Sequence, residues 1–138
     1  MMKPLWFVLL CAVSASSLAC TFKTSDSDNI REIARQHGGY PISDAQCKFL
    51  NERGLALSIR GNATVLSGVS MAWVNVSLAN LKTGIKSDSY RYSNSLDTSE
   101  ASQTKADDLL YSNLSDAIGA FDFATAAREM ENYRNKRK

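Results

Sequence analysis

The chain has 138 residues, of which 44% are hydrophobic and 22% are charged, so it is long enough to bury the core of one domain. Its 16 basic and 14 acidic residues leave a formal net charge of +2, which provides no overall field for attracting a polyanion. We therefore expect no nucleic-acid partner.

Residues 1–19 have the three parts of a secretory signal peptide. Lys3 provides a positive start, residues 5–13 are apolar, and residues 17–19 place small side chains at the two positions that a signal peptidase reads. The apolar stretch is well short of the ~20 residues that a membrane-spanning helix needs. We expect cleavage before Cys20 and export to the periplasm, or out of the cell if the host is a eukaryote. An uncleaved N-terminal anchor is the alternative.

Cleavage removes Cys11 and leaves Cys20 and Cys47. In an oxidising compartment two cysteines most simply form one disulfide, which would tie the new N-terminus to the helix that carries Cys47. In the alternative, Cys20 is the lipidated first residue of a bacterial lipoprotein and tethers the chain to the outer membrane. The two modifications exclude each other because each uses the Cys20 sulfur. Lipoprotein signals usually have Leu where this chain has Ser17, which favours the disulfide.

Two short helices are predicted after a polar lead-in at residues 20–28. The first covers residues 29–37 and ends at a pair of glycines. The second begins at Ser43, which forms a capping box with Gln46, and ends at Gly54.

Alternation of apolar and polar residues then predicts strands. Residues 55–60 form the first, Gly61-Asn62 marks a turn or bulge, and residues 64–67 form a short second strand. Residues 69–79 are β-branched and alternating, and residues 85–93 form the return strand of a hairpin.

The loop within residues 81–85 decides which side chains share a face of this hairpin. A three-residue loop with a left-handed glycine sets Tyr90 opposite Val76 and Tyr92 opposite Val74, on the core face. A four-residue loop would move both tyrosines to the other face, because a shift of one residue exchanges the two faces of a strand.

The second face of the predicted hairpin is a candidate partner-binding surface. It holds Trp73, Asn75 and Arg91, an aromatic anchor and an arginine among polar side chains, which is typical of recognition surfaces. In the alternative, Trp73 packs beneath a helix or loop.

Helical periodicity returns after residues 97–100, which can cap a helix. An apolar stripe runs through residues 106–121, a break follows near Gly119, and residues 123–133 form a last helical segment before the basic tail at 134–138. We predict one α+β domain over residues 29–133. It has two layers, with two N-terminal helices, an antiparallel meander of three to four strands and a long C-terminal helix.

Residues suited to catalysis are scarce. His37 is the only histidine, which excludes a metal site built from several histidines, and its position before two glycines at a helix end favours a cation that stabilises the helix C-terminus over a catalytic base. Asp107 and Asp108 are neighbours on a helix and therefore point about 100° apart. We expect no catalytic residue, no metal and no cofactor; a small secreted hydrolase that uses carboxylates is the alternative.

Residues 74–87, VNVSLANLKTGIKS, resemble the strand-turn-strand of small bacterial envelope lipoproteins and periplasmic accessory proteins, in which an asparagine, a spacer and Thr-Gly precede the return strand. The signal ending at Cys20 and the long final helix agree with this resemblance. It implies a non-catalytic role in the envelope and assigns no functional residue.

The sequence therefore predicts an exported, non-catalytic binding or accessory protein of the bacterial cell envelope. An inhibitor of the immunity type and an assembly accessory are both consistent with it, and the expected partner is another envelope protein. Besides the hydrolase, a structural subunit that associates with its own copies is the further alternative.

Overall fold

The computed structural model describes residues 20–136. The predicted signal peptide at residues 1–19 and the last two residues of the basic tail lie outside this range. In chain order the elements are β1 (Lys23–Ser25), α1 (Asp28–Gln36), α2 (Asp44–Arg53), β2 (Ala56–Leu66), β3 (Val69–Ala79), β4 (Lys86–Asp97), α3 (Gln103–Ala120) and α4 (Phe123–Lys136).

The two N-terminal helices have local start and stop signals. The Ser27 hydroxyl accepts a hydrogen bond from the Ile30 N–H at the start of α1. At α2 the predicted capping box is confirmed, since Ser43 and Gln46 each accept a hydrogen bond from the other's backbone N–H. Gly54 ends α2 with φ +61°, the left-handed conformation that glycine adopts at little cost.

The four strands form one mixed sheet in the order β1-β2-β3-β4. The predicted antiparallel meander is confirmed for β2, β3 and β4. β1 is an addition, because it lies in the predicted lead-in and pairs in parallel with β2. Its sequence, Lys-Thr-Ser, has no apolar alternation, so nothing local distinguishes it from a loop.

β2 runs without interruption through Gly61, so the predicted turn or bulge at Gly61-Asn62 is wrong. Gly61 is needed for a close backbone approach, because a Cβ there would lie 2.6 Å from the Trp73 carbonyl oxygen. The hairpin turn is at Ser67-Gly68, where both residues have positive φ, +51° and +79°. Two successive positive φ values are typical of the type I′ turn.

The loop between β3 and β4 has four residues, so the predicted three-residue loop is wrong. The Asn80 N–H donates to the Ile85 carbonyl (2.8 Å) and the Gly84 N–H donates to the Asn80 carbonyl (2.8 Å), which encloses residues 81–84. The Asn80 side chain stabilises this longer loop by accepting hydrogen bonds from the Lys82 and Thr83 N–H groups. The left-handed glycine is confirmed, with φ +70° at Gly84.

The extra loop residue reverses the predicted faces of β4. Asn75 pairs with Tyr92 and Val76 with Arg91, so the tyrosines share the face of Trp73, whereas Arg91 lies on the other face. A bulge between Ser77 and Ala79 then places three β4 residues opposite one β3 residue, an even shift that preserves the faces. Inside the bulge, the Ser87 hydroxyl accepts the Leu78 N–H (3.0 Å).

The predicted two-layer α+β fold is confirmed, with the helices on one face of the sheet. α3 packs across β2, β3 and β4, and α4 packs against β4. The predicted break in the C-terminal helical region is also confirmed, because Phe121 and Asp122 separate α3 from α4. The N-cap of α3 is Ser102, not a residue of 97–100 as predicted. The largest fully buried side chains are Ile30, Ile33, Leu50, Leu57, Ile59, Leu78, Leu110, Leu114 and Ile118.

One polar side chain crosses between the layers. Asn113 of α3 is only 3% exposed, and its amide nitrogen donates to the Ala72 carbonyl of β3 (3.1 Å). Its amide oxygen accepts hydrogen bonds from the hydroxyls of Ser93 and Ser95 on β4. A buried amide with both its donor and its acceptor engaged fixes α3 relative to these strands.

Candidate binding surface

The sheet face opposite the helices is the most distinctive surface of the described residues, and we call it the open face. The strand pairing assigns side chains to it, because directly paired residues point to the same side of a sheet. Its longer or polar members are Lys23, Ser58, Arg60, Asn62, Thr64, Leu66, Met71, Trp73, Asn75, Ser77, Lys86, Tyr90, Tyr92, Asn94 and Leu96.

Three large aromatic side chains of the open face are exposed. Trp73 is 40% exposed, Tyr92 47% and Tyr90 64%. The rings of Trp73 and Tyr92 stack with 6.3 Å between their centroids and 25° between their planes. Solvent-exposed rings of this size on a rigid sheet form an apolar patch whose exposure to water is unfavourable.

Polar side chains alternate with these rings across the strands. In the order β2, β3, β4 the rows are Ser58–Ser77–Tyr90, Arg60–Asn75–Tyr92, Asn62–Trp73–Asn94 and Thr64–Met71–Leu96. Trp73 therefore has an amide side chain on each side, and an amide can both donate and accept a hydrogen bond. The last row, with Leu66 next to it, gives the open face an apolar end.

The charges of the open face have one sign. Lys23, Arg60 and Lys86 are basic, and among residues 20–136 no carboxylate belongs to the rows of this face. Asp88 lies within the bulge and accepts a hydrogen bond from Tyr133 of α4, which belongs to the helix layer. The local charge therefore differs from the near balance of the whole chain.

Two shallow depressions flank the Trp73 side chain. One, of about 330 Å³, is lined by Arg60, Asn75, Lys86 and Tyr90 as well as Trp73. The other, of about 510 Å³, lies towards the apolar end. Trp73 thus lies between a depression that contains two basic side chains and one that contains no charged side chain.

The structure brings together two of the three residues predicted for partner binding. Trp73 and Asn75 share the open face, but Arg91 is on the opposite face, paired with buried Val76. The arginine of the open face is Arg60, which sequence analysis did not select. Its alternation with Ile59 was the available signal, but the pairing of β2 with Asn75 was needed to interpret it.

A disulfide joins Cys20 and Cys47, with 6.2 Å between their Cα atoms. Cys20 is exposed, whereas Cys47 of α2 is buried. Next to the bridge, the Asn51 side chain donates to the Thr21 carbonyl (2.8 Å), which gives the lead-in segment a second attachment to α2. Both contacts hold the start of the described chain against α2, just before β1 begins.

His37 has a structural role at the C-terminal end of α1. Its Nδ1 donates to the Ile33 carbonyl (2.9 Å) at the C-terminus of α1, and its Nε2 lies 3.1 Å from the Asp108 carboxylate of α3. The Tyr111 ring stacks on the imidazole with 4.4 Å between centroids. The hydrogen bond to Ile33 and the Asp108 carboxylate raise the pKa of His37.

Two other groups with shifted pKa values also have local structural partners. Burial, with a hydrogen bond to Asp26, raises the pKa of Tyr40 to about 12. Hydrogen bonds from Ser99 and from the Glu100 N–H lower the pKa of Asp97. Neither group belongs to the open face. These pKa shifts therefore reflect hydrogen bonds that fix segments between helices and strands, and not the chemistry of that surface.

Comparison with known proteins gives no match, either to a protein family, to a curated protein or to a solved structure. No helix among residues 20–136 is long and apolar enough to cross a membrane. The interpretation of function therefore depends on the geometry and chemistry of this chain.

Proposed function

We propose that this chain is an exported, non-catalytic binding module of the bacterial cell envelope, and that its open face binds a partner protein. The observation that carries the proposal is the exposed cluster of Trp73, Tyr90 and Tyr92 on the sheet face opposite the helices. Large exposed apolar patches with polar surroundings mark interaction sites more often than inert surface.

The composition of the open face supports recognition of protein. Tyrosine and tryptophan provide rigid contact area with few rotatable bonds, while asparagine and serine provide adaptable hydrogen bonds. Tryptophan, tyrosine and arginine are also the residues that most often dominate binding free energy at protein interfaces. The open face combines both sets, with Arg60 and Asn75 in the row next to Trp73.

Export is supported by the signal-like residues 1–19 and by the Cys20–Cys47 disulfide, since disulfides persist in oxidising compartments. Lipidation of Cys20 remains the competing proposal for how the chain is held in the envelope. We prefer the free, disulfide-bonded form because the Cys20 sulfur is bonded to Cys47 and one sulfur cannot carry both modifications. An inhibitor of the immunity type and an assembly accessory fit this proposal equally.

A binding role is favoured over hydrolysis by where the carboxylates lie. Most are on helices or connections, and several hold local structure, as Glu129 does by accepting hydrogen bonds from the N–H and hydroxyl of Ser89. Asp122 similarly accepts hydrogen bonds from Thr125 near the start of α4. Groups already occupied in this way are poorly placed to move protons to and from a substrate.

Site-specific photo-crosslinking in cells of the native host tests the proposed surface. A photoreactive residue at Asn62 or Asn94 on the open face should yield one discrete protein adduct, and Trp73→Ala should abolish it. The same residue at exposed Ser115 of α3 is the matched control and should yield no such adduct. Equal adducts from both faces, or an adduct that survives Trp73→Ala, would refute the proposal.

The intact mass of the purified protein tests export and the fate of Cys20. We expect a chain that begins at Cys20 and weighs two hydrogens less than its reduced form. A mass increase equal to one diacylglycerol group would show that Cys20 carries a lipid anchor and not the disulfide. Retention of Met1 would contradict export.

A measurement of self-association distinguishes the proposed binding module from a structural subunit that binds its own copies. A binding module of this kind should elute as a monomer during size-exclusion chromatography at increasing concentration. Concentration-dependent assembly that is lost in Trp73→Ala would instead support a subunit that binds its own copies.

A further inference from the structure

We infer that the open face binds an acidic segment of its partner protein, with the anionic side chains of the partner at Arg60 and Lys86 and its apolar side chains beyond Trp73. This inference rests on the proposed function and specifies the chemistry of the partner.

The charged side chains of the open face are all basic. The chain has 14 acidic residues, yet none within residues 20–136 belongs to the rows of the open face, where Lys23, Arg60 and Lys86 are found. No carboxylate lies within 4 Å of the charged groups of these three residues in the described chain, whereas Arg31, Arg35 and Lys105 each have at least one. Complementary charge across an interface steers association and selects the partner.

Two of these cations and two aromatic rings share one depression. Arg60 and Lys86 come from different strands, β2 and β4, and line the same concavity of about 330 Å³ with Trp73 and Tyr90. A carboxylate that enters this depression meets two cations while the carbon stem of its side chain contacts aromatic rings. Glutamate or aspartate beside an apolar residue has this chemistry.

The basic and the apolar side chains of the open face lie towards opposite ends of its strands. From Ala79, which pairs with Lys86, to Val69, which pairs with Leu66, the surface spans about 33 Å at ~3.3 Å per residue. Over this length the side chains change from Arg60 and Lys86 to Leu66 and Leu96, which are 60% and 69% exposed. An extended segment that is acidic at one end and apolar at the other matches this order.

The same charges disfavour a second copy of this chain as the occupant. Two open faces packed against each other would bury Lys23, Arg60 and Lys86 of both copies, and neither open face has a carboxylate to pair with them. Burying unpaired charges is costly. The charge of the open face therefore disfavours self-association and favours an acidic partner.

Tryptophan fluorescence tests the inference directly. The sequence contains Trp6 and Trp73, so a chain that begins at Cys20 has Trp73 as its single tryptophan. The probes are a glutamate–tyrosine copolymer, polyglutamate and a lysine–tyrosine copolymer, added at low and high salt. We expect the glutamate–tyrosine copolymer to change the Trp73 emission and to bind most tightly, with its affinity falling about tenfold as salt screens the charges.

The second experiment replaces the two cations, Arg60 and Lys86. Arg60→Gln with Lys86→Gln should reduce the affinity for the glutamate–tyrosine copolymer by on the order of tenfold at low salt and weaken its salt dependence. Arg91→Gln is the matched control, because Arg91 is an exposed arginine of β4 that points to the helix side. It should leave the affinity unchanged.

Absence of binding by the acidic copolymer, or equal loss in the control, overturns the inference. Tighter binding of polyuronate, single-stranded DNA or phosphatidylglycerol vesicles would overturn it too, because the occupant would then be a different anionic polymer or surface. A crosslinked partner on the open face whose capture does not depend on Arg60 and Lys86 would retain the proposed function and reject only the acidic partner.

Discussion

At the scale of single residues, Gly61 shows how a small side chain fixes the position of the candidate surface. A Cβ at Gly61 would lie 2.6 Å from the Trp73 carbonyl oxygen and 3.2 Å from a Val74 methyl group. The φ of Gly61 is outside the left-handed region, so the backbone conformation itself would accept alanine. The constraint is therefore the distance between β2 and β3 at the level of Trp73.

Gly61→Ala should lower the free energy of unfolding by about 1–3 kcal/mol, because the strands must separate or bend to admit the methyl group. Gly119→Ala is the matched control. That glycine is helical, has open space around its Cβ position and should gain about 0.5–1 kcal/mol from alanine. Urea denaturation of both variants measures the two effects, and equal stability of Gly61→Ala and the parent would contradict the steric argument.

Asn113 provides a second prediction at this scale. Asn113→Leu should cost about 2 kcal/mol, because the Ala72 carbonyl loses its amide donor and the Ser93 and Ser95 hydroxyls lose their acceptor. The exposed neighbour Ser112→Ala should change stability by less than about 0.5 kcal/mol. Thermal unfolding of the two variants provides the comparison, and a neutral Asn113→Leu would show that this hydrogen-bonded link contributes little.

At the scale of elements, the disulfide holds the start of the chain against α2. Cys20 and Cys47 are separated by 27 positions. In the chain-entropy model, closing a loop of this size stabilises the folded state by roughly 3 kcal/mol. Besides this bond, the described lead-in has the β1–β2 pairing and the hydrogen bond from Asn51 to Thr21 to hold it.

Reduction of the disulfide should therefore lower the urea midpoint, and Cys20→Ala should reproduce that lower value with or without reductant. Cys20 is the better position to change because it is exposed, whereas replacing buried Cys47 would also disturb packing. An unchanged midpoint on reduction would mean that the contacts of β1 and α2 suffice without the covalent bond.

At the scale of the whole molecule, His37 links α1 to α3 and makes the stability depend on pH. Its folded pKa is raised above the unfolded value of about 6.5, first through the Ile33 carbonyl and then through Asp108. Protonated His37 therefore favours the folded state. This contribution is fully present below the unfolded pKa and is lost as the pH rises through the higher folded pKa.

His37→Gln should accordingly remove a decrease in the free energy of unfolding that the parent shows as the pH rises from mildly acidic to mildly alkaline. Chemical denaturation at a series of pH values measures this difference. Titration of the imidazole by NMR should give a folded pKa above that of an unfolded control. A folded pKa at or below the unfolded one would contradict the assignment of His37 as a stabilising cation.

Sequence reasoning succeeded where neighbouring residues decide the structure. The capping box of Ser43 and Gln46, the glycine end of α2 and the break before Phe123 depend on residues a few positions apart, and all three are confirmed. It failed at β1, whose polar sequence becomes a strand only because β2 is beside it. It also failed at Gly61, which has the local signature of a turn but serves a contact with another strand.

The residues of the candidate surface could likewise be predicted only where a local pattern identifies them. Trp73 and Asn75 were identified from alternation within β3, which is a local pattern. Their neighbours Arg60 and Tyr92 come from other strands, so only the pairing of the strands could place them. Arg91 was assigned to the wrong face because the β4 register depends on the exact loop length.

The sequence by itself determined the helix ends, the single pair of cysteines in the described chain and the two-layer α+β plan, since capping, cysteine count and apolar periodicity are properties of the chain. The tertiary structure alone decided which side chains of β4 join Trp73. Asn80 accepts two backbone hydrogen bonds and so stabilises a loop one residue longer than predicted. Because strand side chains alternate with a period of two, that single residue moves Tyr90 and Tyr92 to the open face and Arg91 to the helix side.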